Sequence, residues 1–460
     1  MLIWLVRWVL YALGLAAPVK VVHHPEPTTL VSLGKDGRKR SIRLDGLLKQ
    51  CPSLVGRDAW YVPTMWLANG SLATIAAALF RYAYDPITYT RELIRVPDGG
   101  TVTIDFAPPI VNEDLFDDRP ILVVSHGLTG GSHESYVRGI LAIVTKPKED
   151  GGLGWRAAVV NSRGCANTPV TSQKLYNGAT TDDLRSAIAF ISKFAPDAPL
   201  YGVGFSLGGN QMAKYAGEEG EECPLIAVIA VAAPFDWVRC HIALCSGWMR
   251  MFFSRAMARN LRTLLARNAG TFESHPKLDW EVIFGNPYQS LFEYDSLVTA
   301  PLAGYGTAIE YCRAASASTV LHNVAVPLLA ISSINDPIVD LSCIPFTAAT
   351  HNPNLIVATT KHGGHLGWHS GFFRPRRWVS KPVAEFLKAV HEARPQVRQA
   401  RETVPLRRDG RTPKIGDEMV CLEGREGEVG FRRVKAEEHA VEGQADMADV
   451  VVEAGVMRGL

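Results

Sequence analysis

Ser206 stands in a motif that is typical of a nucleophilic serine. It lies within Gly204-Phe205-Ser206-Leu207-Gly208, which fits the pattern G-x-S-x-G, after an apolar run and before residues 211–217, which predict a helix. The chain turns sharply at such a junction, and side chains at the flanking positions would collide with the neighbouring strand and helix, so glycine is needed there. The helix N-terminus favours negative charge that develops near the serine. A serine hydroxyl is a weak nucleophile at neutral pH, so the chain must also supply a base.

An acid and a base follow this serine in the order Ser206, Asp336, His365. Each lies just past the C-terminal end of a predicted strand, and these ends meet at one rim of a parallel sheet. Histidine titrates near neutrality, so it can take the serine proton and return it to a leaving group. The carboxylate fixes the histidine tautomer and stabilises the imidazolium. The three residues predict covalent catalysis by a Ser-His-Asp set.

Other residues compete for the acid and base roles. Asp340 could replace Asp336, although it lies farther from the strand end. His362 and His369 compete with His365. We prefer His365 because two glycines precede it and let the loop turn toward the serine.

Two backbone N–H groups are predicted to bind the oxyanion of the reaction intermediate. They belong to Leu207, the residue after the serine, and to Leu128, in the Gly-rich loop at residues 126–131. His126 opens this loop, and we expect it to shape the loop rather than to carry protons.

Strand and helix signals alternate along the chain and predict a mostly parallel, doubly wound sheet. Continuous apolar runs are typical of strands that are buried on both faces. Asp98-Gly99-Gly100 is a hairpin signal between the first two strands. The predicted strands are 91–97, 101–108, 121–125, 157–161, 200–205, 225–233, 326–332 and 355–360, and the predicted helices are 135–144, 181–194, 211–217 and 378–390.

The alternation breaks at Pro234, and residues 235–323 have a helical, Met- and aromatic-rich pattern. This pattern predicts a helical cap whose apolar face lines an acyl pocket, with plain core packing as the alternative. The predicted fold class is α/β, an α/β-hydrolase fold. It has a mostly parallel, eight-stranded-type sheet, helices on both faces and a helical cap insertion. The predicted regions are an N-terminal membrane anchor or interfacial helix at 1–22, a lead-in segment at 23–90, a first core part at 91–234, the cap at 235–325, a second core part at 326–394 and a flexible charged tail at 395–460.

The N-terminus is apolar over residues 1–17 apart from Arg7. A helix of that length would span about 25 Å, slightly less than a hydrocarbon core of about 30 Å. Trp4, Trp8 and Tyr11 suit a membrane interface. We expect a membrane-associated protein that meets the membrane surface through this segment, with a helix packed on the domain as the alternative.

Composition and motifs exclude several other function classes. The net charge is +2 and no basic run is interleaved with aromatic residues, so we expect no nucleic-acid partner. The eight cysteines form no C-x-x-C and are expected to be mostly reduced thiols. The sequence contains no H-E-x-x-H and no G-x-x-x-x-G-K-[ST], and the loop after His126 lacks the G-x-G-x-x-G spacing. We therefore expect no metal and no cofactor.

Six motifs of the chain lie at 61–70, 125–131, 161–165, 202–210, 335–337 and 363–368. Together they resemble one branch of the α/β-hydrolases. The branch contains yeast medium-chain fatty acid ethyl ester synthase/esterases, a yeast monoacylglycerol lipase, plant embryogenesis-associated hydrolases and membrane-anchored mammalian α/β-hydrolase-domain lipases. The resemblance implies Ser206 as nucleophile, Asp336 as acid, His365 as base and a membrane anchor. It implies acyl esters as substrates and, in some members, acyl transfer from coenzyme A to a small alcohol.

Three functions follow from this reading. The first is a serine esterase or lipase that acts on medium-chain acyl esters or monoacylglycerols through an acyl-enzyme on Ser206. The second is an acyl-CoA:alcohol O-acyltransferase, with ethanol as the alcohol, that uses the same three residues. The third is a non-catalytic binding protein with a hydrolase fold. Its signature would be the loss of one of the three residues, and none is lost.

Overall fold

The computed structural model describes residues 9–33, 39–79, 86–110, 117–371, 375–393, 419–422, 425 and 427–434. The described strands are β1 Ala17–Pro18, β2 Lys20–His23, β3 Thr29–Leu33, β4 Lys39–Arg43, β5 Trp60–Tyr61, β6 Thr90–Arg95, β7 Thr101–Ala107, β8 Ile121–Ser125, β9 Arg156–Asn161, β10 Leu200–Phe205, β11 Leu225–Val231, β12 Leu328–Ser333, β13 Leu355–Thr360, β14 His369–Ser370, β15 Arg376–Arg377, β16 Val420–Cys421 and β17 Gly430–Arg433.

Helices lie between and around these strands. Residues 9–12 are also helical. The described α-helices are α1 Leu44–Leu48, α2 Gly70–Leu79, α3 Ser135–Val144, α4 Asp182–Phe194, α5 Leu207–Glu219, α6 Trp237–Leu244, α7 Trp248–Arg267, α8 Ala269–Phe272, α9 Trp280–Gly285, α10 Leu291–Tyr294, α11 Ala300–Leu302, α12 Ala308–Ala315, α13 Phe346–His351 and α14 Ser380–Ala393, and a π-helical segment covers Asp295–Thr299. Short 3₁₀ turns occur at Met65–Leu67, Lys148–Asp150, Gly220–Glu222, Ala317–Thr319, Leu321–Asn323 and Leu341–Cys343.

Eleven of the described strands form one sheet in the order β16-β17-β6-β7-β9-β8-β10-β11-β12-β13-β2. The strands from β9 to β13 in this order pair in parallel, and the strands outside them pair antiparallel. The eight strands from β6 to β13 are the eight that the sequence predicts. The expected mostly parallel sheet with helices on both faces is confirmed, and the sheet is extended at both edges.

Each central strand contributes to two separate hydrophobic cores, one on each face of the sheet. Along β8, Leu122 and Val124 pack in a core with α3 and α14. Ile121 and Val123 point to the opposite face and pack in a core with α4 and α5. Alternate side chains of a strand point to opposite faces, which explains why this strand is a continuous apolar run.

The N-terminal region differs from the expectation of a helix over residues 1–22. Residues 9–12 are helical, but residues 20–23 form β2, which pairs antiparallel with β13 at the sheet edge. Val21 packs against one core and Val22 against the other, so alternation on a strand explains part of the apolar character. The expectation is therefore wrong for residues 20–22, and residues 1–8 lie outside the described ones. Within the described ranges, we find no helix with the length and apolar character that a membrane crossing requires.

The expected flexible tail at 395–460 also contains sheet structure. Strand β17 pairs antiparallel with β6, and β16 pairs with β17. Phe431 is 1% exposed and meets Phe190 of α4 edge-on, with 5.4 Å between the ring centroids. The Arg433 guanidinium pairs with Glu92 of β6 at 2.7 Å. The expectation of a flexible tail is wrong for this stretch, because an aromatic side chain and an ion pair hold it on the sheet edge.

The helices from α6 to α12 lie between β11 and β12, at the position of the expected cap. Their apolar side chains form a third core, which also includes Leu207 after the candidate nucleophile and Ile338 and Val339 after β12. The cap therefore packs directly on the C-terminal rim of the sheet.

Replacement of Phe431 tests whether the C-terminal strand stabilises the domain. We expect Phe431→Ala to lower the free energy of unfolding by about 3 kcal/mol, because it removes a buried ring from a packed core. Urea unfolding of the full-length protein measures this change. Met419→Ala, at a side chain that is 36% exposed, is the control and should change stability little. Equal stability of Phe431→Ala and the unmodified protein would contradict the role of this strand.

Candidate active site

Ser206 occupies a strained backbone conformation between β10 and α5. Its φ is 53° and its ψ is −120°, and it is the N-cap residue of α5. A non-glycine residue in such a conformation costs about 1–3 kcal/mol, which the surrounding structure must offset. The chain therefore turns sharply at Ser206, as the sequence motif predicts.

The two glycines of the motif are required for space. A Cβ at Gly204 would lie 2.1 Å from the carbonyl oxygen of Gly208. A Cβ at Gly208 would lie 2.4 Å from the carbonyl oxygen of Ser125, at the end of β8. Backbone atoms cannot move aside as a flexible side chain can, so glycine at both positions lets β10, α5 and β8 approach this closely.

Ser206, His365 and Asp336 form a continuous series of hydrogen bonds. The Ser206 hydroxyl lies 2.8 Å from His365 Nε2, and His365 Nδ1 lies 2.8 Å from Asp336 Oδ2. The other Asp336 oxygen accepts backbone N–H groups of Ile338 and Val339 at 2.8 and 2.9 Å. With Nδ1 donating to the carboxylate, Nε2 is free to accept the serine proton. The structure thus brings together the three residues that the sequence predicts.

Burial strengthens the electrostatic coupling within this series. Asp336 is 4% exposed and His365 is 6% exposed. Hydrogen bonds are stronger in an environment of low dielectric constant than in water, and their partners are held in place by packing. The Asp336 carboxylate is therefore positioned to stabilise a positive charge on His365.

Asp340, the alternative acid, has a different role. Its carboxylate pairs with Arg250 of α7 at 2.7 Å and accepts the backbone N–H of Ser342 at 3.0 Å. The Ser342 backbone N–H and then the Arg250 guanidinium lower the pKa of Asp340 to about 2. Asp340 links the cap to the loop after β12 and does not contact His365.

The two alternative bases also lie elsewhere. His362 is bound between the carbonyl oxygens of Ala68 and Gly14, at 2.9 and 2.8 Å from its ring nitrogens. His369 lies in β14, where burial and then the nearby Arg377 charge lower its pKa to about 3. Neither ring contacts Ser206.

Two residues that sequence reasoning did not assign hold the His365 loop. The hydroxyl of Thr74 in α2 accepts the backbone N–H of His365 at 2.8 Å and donates to the carbonyl of Gly70. The side chain of Asn335 accepts the N–H of Gly364 at 3.0 Å and donates to the carbonyl of Ala68. Asn335 directly precedes Asp336 in the sequence, and this position could have indicated a role for Asn335 at the site. Thr74 lies 291 positions before His365, and no sequence pattern connects the two.

The loop after β8 presents a free N–H at Leu128. Its neighbours are occupied, because the hydroxyls of Tyr136 and Tyr176 accept the N–H groups of Gly127 and Thr129, each at 2.9 Å. In the part of the chain that the structure describes, no acceptor bonds the N–H of Leu128 or of Leu207. Both residues line the cavity that contains Ser206. The predicted oxyanion role of these two N–H groups stays a prediction, and both groups are available for it.

The His126 ring holds this loop in place through two hydrogen bonds. Its Nδ1 donates to the carbonyl of Gly127 at 2.7 Å, and its Nε2 accepts the N–H of Ser162 at 3.1 Å. Burial lowers the pKa of His126 to about 4, so the ring is neutral at pH 7. This agrees with the expectation that His126 does not carry protons.

A largely apolar cavity opens at Ser206 beneath the cap. Its volume is about 650 Å³ together with its solvent-open mouth. Its apolar lining comes from the loops of the sheet rim and from the cap, namely Leu128, Leu207, Pro234, Trp237, Leu244, Met257, Leu261, Leu291, Ile338 and Val339. Such a cavity can enclose a hydrocarbon chain next to the hydroxyl of Ser206. Among the described residues, no group of three or more His, Cys, Asp or Glu side chains could hold a metal ion.

Residues 120–371, more than half of the chain, match the sequence profile of the family described as alpha/beta hydrolase fold. This chain belongs to the α/β-hydrolase family. A monoacylglycerol lipase from Saccharomyces cerevisiae is 32% identical over 370 residues, covering 71% of this chain and 80% of that protein. The embryogenesis-associated protein EMB8 from Picea glauca is 30% identical over 391 residues, covering 80% of this chain and 82% of that protein.

A third relative belongs to the same branch. Medium-chain fatty acid ethyl ester synthase/esterase 2 from Saccharomyces cerevisiae is 28% identical over 407 residues, covering 72% of this chain and 88% of that protein. The resemblance to this branch of α/β-hydrolases, inferred from the sequence motifs, is confirmed.

The hydrogen bonds of the site predict which acid activates Ser206. We expect Asp336→Asn to slow labelling of Ser206 by a fluorophosphonate at least about a hundredfold, because the histidine tautomer is then wrong. Time-resolved labelling followed by mass spectrometry of the Ser206 peptide measures the rate. The matched control is Asp340→Asn, which removes a carboxylate four positions away and should label at the unmodified rate. Slow labelling of Asp340→Asn together with normal labelling of Asp336→Asn would reverse the assignment.

Proposed function

We propose that this protein is a serine esterase or lipase that acts on medium-chain acyl esters or monoacylglycerols through an acyl-enzyme on Ser206. The observation that carries the proposal is the hydrogen-bonded series Ser206–His365–Asp336 at the mouth of an apolar cavity. The names of the relatives, a monoacylglycerol lipase and a medium-chain ethyl ester synthase/esterase, support an acyl ester as substrate.

Acylation begins when the ester carbonyl lies over Ser206 with its acyl chain in the cavity. His365 Nε2 takes the hydroxyl proton as Ser206 Oγ attacks the carbonyl carbon. The N–H groups of Leu128 and Leu207 stabilise the negative oxygen of the tetrahedral intermediate, and Asp336 stabilises the imidazolium. The carbon–oxygen bond to the alcohol then breaks, and His365 returns the proton to the departing alcohol.

Deacylation repeats these steps with a new nucleophile. A water molecule gives a proton to His365 Nε2 and attacks the acyl carbon, and the acid is released when Ser206 recovers its proton. An alcohol can replace the water in the same position, and the product is then an ester. Acyl transfer to ethanol, from an ester or from an acyl-CoA, is therefore the second candidate, and the name of the third relative favours it.

Hydrolysis of p-nitrophenyl esters of graded chain length tests the proposal. We expect the full-length protein to prefer acyl chains of intermediate length, and Ser206→Ala to lower kcat/KM at least about 10⁴-fold. Ser246→Ala is the control, because Ser246 is an exposed serine of the cap. An unchanged rate in Ser206→Ala would refute the assignment.

The same assay with ethanol separates the two acceptors. Formation of ethyl ester from the acyl-enzyme at the expense of free acid, or from an acyl-CoA, would favour the transferase.

We further infer that the protein meets a lipid surface beside this site. Four apolar side chains of the N-terminal turn, the Met65–Leu67 turn and α2 are exposed, with Leu13 at 65%, Trp66 at 50%, Leu72 at 52% and Leu79 at 54%. His362 binds carbonyls of both the Gly14 and the Ala68 segments, so the N-terminal turn lies next to the segment that contains Trp66. In the sequence, residues 1–8 directly precede this turn and are apolar apart from Arg7. Exposed apolar surface on neighbouring segments is typical of interaction with other molecules or with membranes.

Flotation with phosphatidylcholine vesicles tests this surface. We expect the double variant Trp66→Ser/Leu72→Ser to reduce the vesicle-bound fraction of the full-length protein several-fold, because it removes apolar area that lipid would bury. Val31→Ser is the control, since Val31 is an exposed apolar residue of the β3–β4 hairpin. Binding that survives the double variant unchanged would show that this surface does not contact lipid.

A further inference from the structure

A cluster of polar groups interrupts the apolar lining of the cavity at Ser206. Trp237 and His241 of α6 and Asp295 of the π-helical segment all line this cavity. They are deeply buried, with exposures of 8%, 4% and 2%. The rings of Trp237 and His241 lie 6.3 Å apart, and His241 Nε2 lies 3.1 Å from Asp295 Oδ2. We refer to these three residues as the polar cluster.

The polar cluster has unused hydrogen-bonding capacity. Asp295 Oδ2 is close enough to His241 for an ion pair, but the geometry falls short of a hydrogen bond. Within the described part of the chain, Asp295 Oδ2 and Trp237 Nε1 have no hydrogen-bond partner. The first atom is an acceptor and the second is a donor. Buried polar atoms are rarely left unpaired, so each such atom requires an explanation.

An apolar acyl chain alone does not explain this cluster. Buried polar groups lose hydration that incomplete hydrogen bonding does not recover, and apolar residues of similar volume frequently stabilise a protein as well or better. A cavity for plain methylene groups would therefore be lined more favourably by residues such as Leu244 and Leu261 alone. The π-helical turn that begins at Asp295 also indicates a functional role for this cluster, because single π turns within helices occur frequently at functional sites.

We propose that the polar cluster binds a hydroxyl group carried by the acyl chain, so that the preferred substrates are esters of hydroxy fatty acids. A hydroxyl can accept from Trp237 Nε1 and donate to Asp295 Oδ2, which are the two groups that lack partners. The rest of the chain would contact the apolar lining. This inference rests on the proposed ester hydrolysis, since it names the acyl group that the same cavity takes.

A panel of p-nitrophenyl decanoates with one hydroxyl moved along the chain tests the inference. We expect one position, or two adjacent positions, to raise kcat/KM of the full-length protein about tenfold or more over plain decanoate. The gain should be confined to those positions, because the cluster is fixed relative to Ser206. A panel in which no hydroxylated ester exceeds plain decanoate would overturn the inference while leaving Ser206-dependent ester hydrolysis intact.

Trp237→Phe shows whether the polar cluster is the cause of the preference. This change removes the Nε1 donor and keeps an aromatic ring, so the ratio of kcat/KM for the preferred hydroxylated ester to that for plain decanoate should fall to about one. Trp280→Phe is the matched control. Trp280 lies in α9, donates to the carbonyl of Phe272 and is absent from the cavity lining, so the ratio should stay at its unmodified value. An undiminished ratio in Trp237→Phe would overturn the assignment of the donor.

A binding measurement separates the failure of this inference from the failure of the proposed function. Calorimetric titration of Ser206→Ala with the methyl esters of the preferred hydroxydecanoate and of decanoate needs no turnover. Tighter binding of the hydroxylated ester supports the inference even if no ester is hydrolysed. Equal binding of the two esters counts against it.

Discussion

The strained turn at Ser206 is the constraint on which the rest of the site depends. A serine with φ of 53° persists only if its neighbours leave the backbone no alternative. The Ser206 N–H donates to the carbonyl of Val231 at 2.8 Å, which ties the turn to the next strand of the sheet. The side chain of Asn210, one turn into α5, bonds the backbone of Ala315 and Ala317 at the end of the cap. Sheet, helix and cap therefore fix the hydroxyl from three directions.

The positions of Asp336 and His365 are fixed by a different part of the chain. Both lie on loops after parallel strands, and loops need added hydrogen bonds to be held in one conformation. Those bonds come from the segment before the first core strand, through Thr74 and the carbonyl of Ala68. A Cβ at Gly70 would lie 1.8 Å from the carbonyl oxygen of Asn335, so the two segments touch without intervening side chains. The lead-in segment is thus part of the site, although none of its residues bears the reacting groups.

The sequence predicts the centre of this molecule better than its edges, for a physical reason. Strands such as β8 and β10 are buried on both faces, and burial leaves an apolar run that can be read from one sequence. The candidate Ser206, Asp336 and His365 could be found because each follows such a strand. The edge strand β2 overlaps the predicted N-terminal region at 1–22 and lies beyond its apolar stretch at 1–17, and β17 lies in the polar, Gly-rich tail that is predicted to be flexible. Each edge strand is recognised only through a partner more than 300 positions away, His23 for Ile356 and Arg433 for Ile94.

The choice between water and an alcohol as acceptor does not lie in the Ser-His-Asp geometry. In the proposed mechanism, the same His365 nitrogen activates either nucleophile, because it is the base that is hydrogen-bonded to Ser206. Apolar surface is contributed to the cavity that contains Ser206 by Leu128, Leu207, Ile338 and Val339. Such surface disfavours water more than it disfavours an alcohol that carries its own hydrocarbon. Under the proposed function, affinity and access at the cavity therefore select the acceptor, whereas Trp237, His241 and Asp295 of the same cavity are proposed to bind a hydroxyl group of the acyl chain.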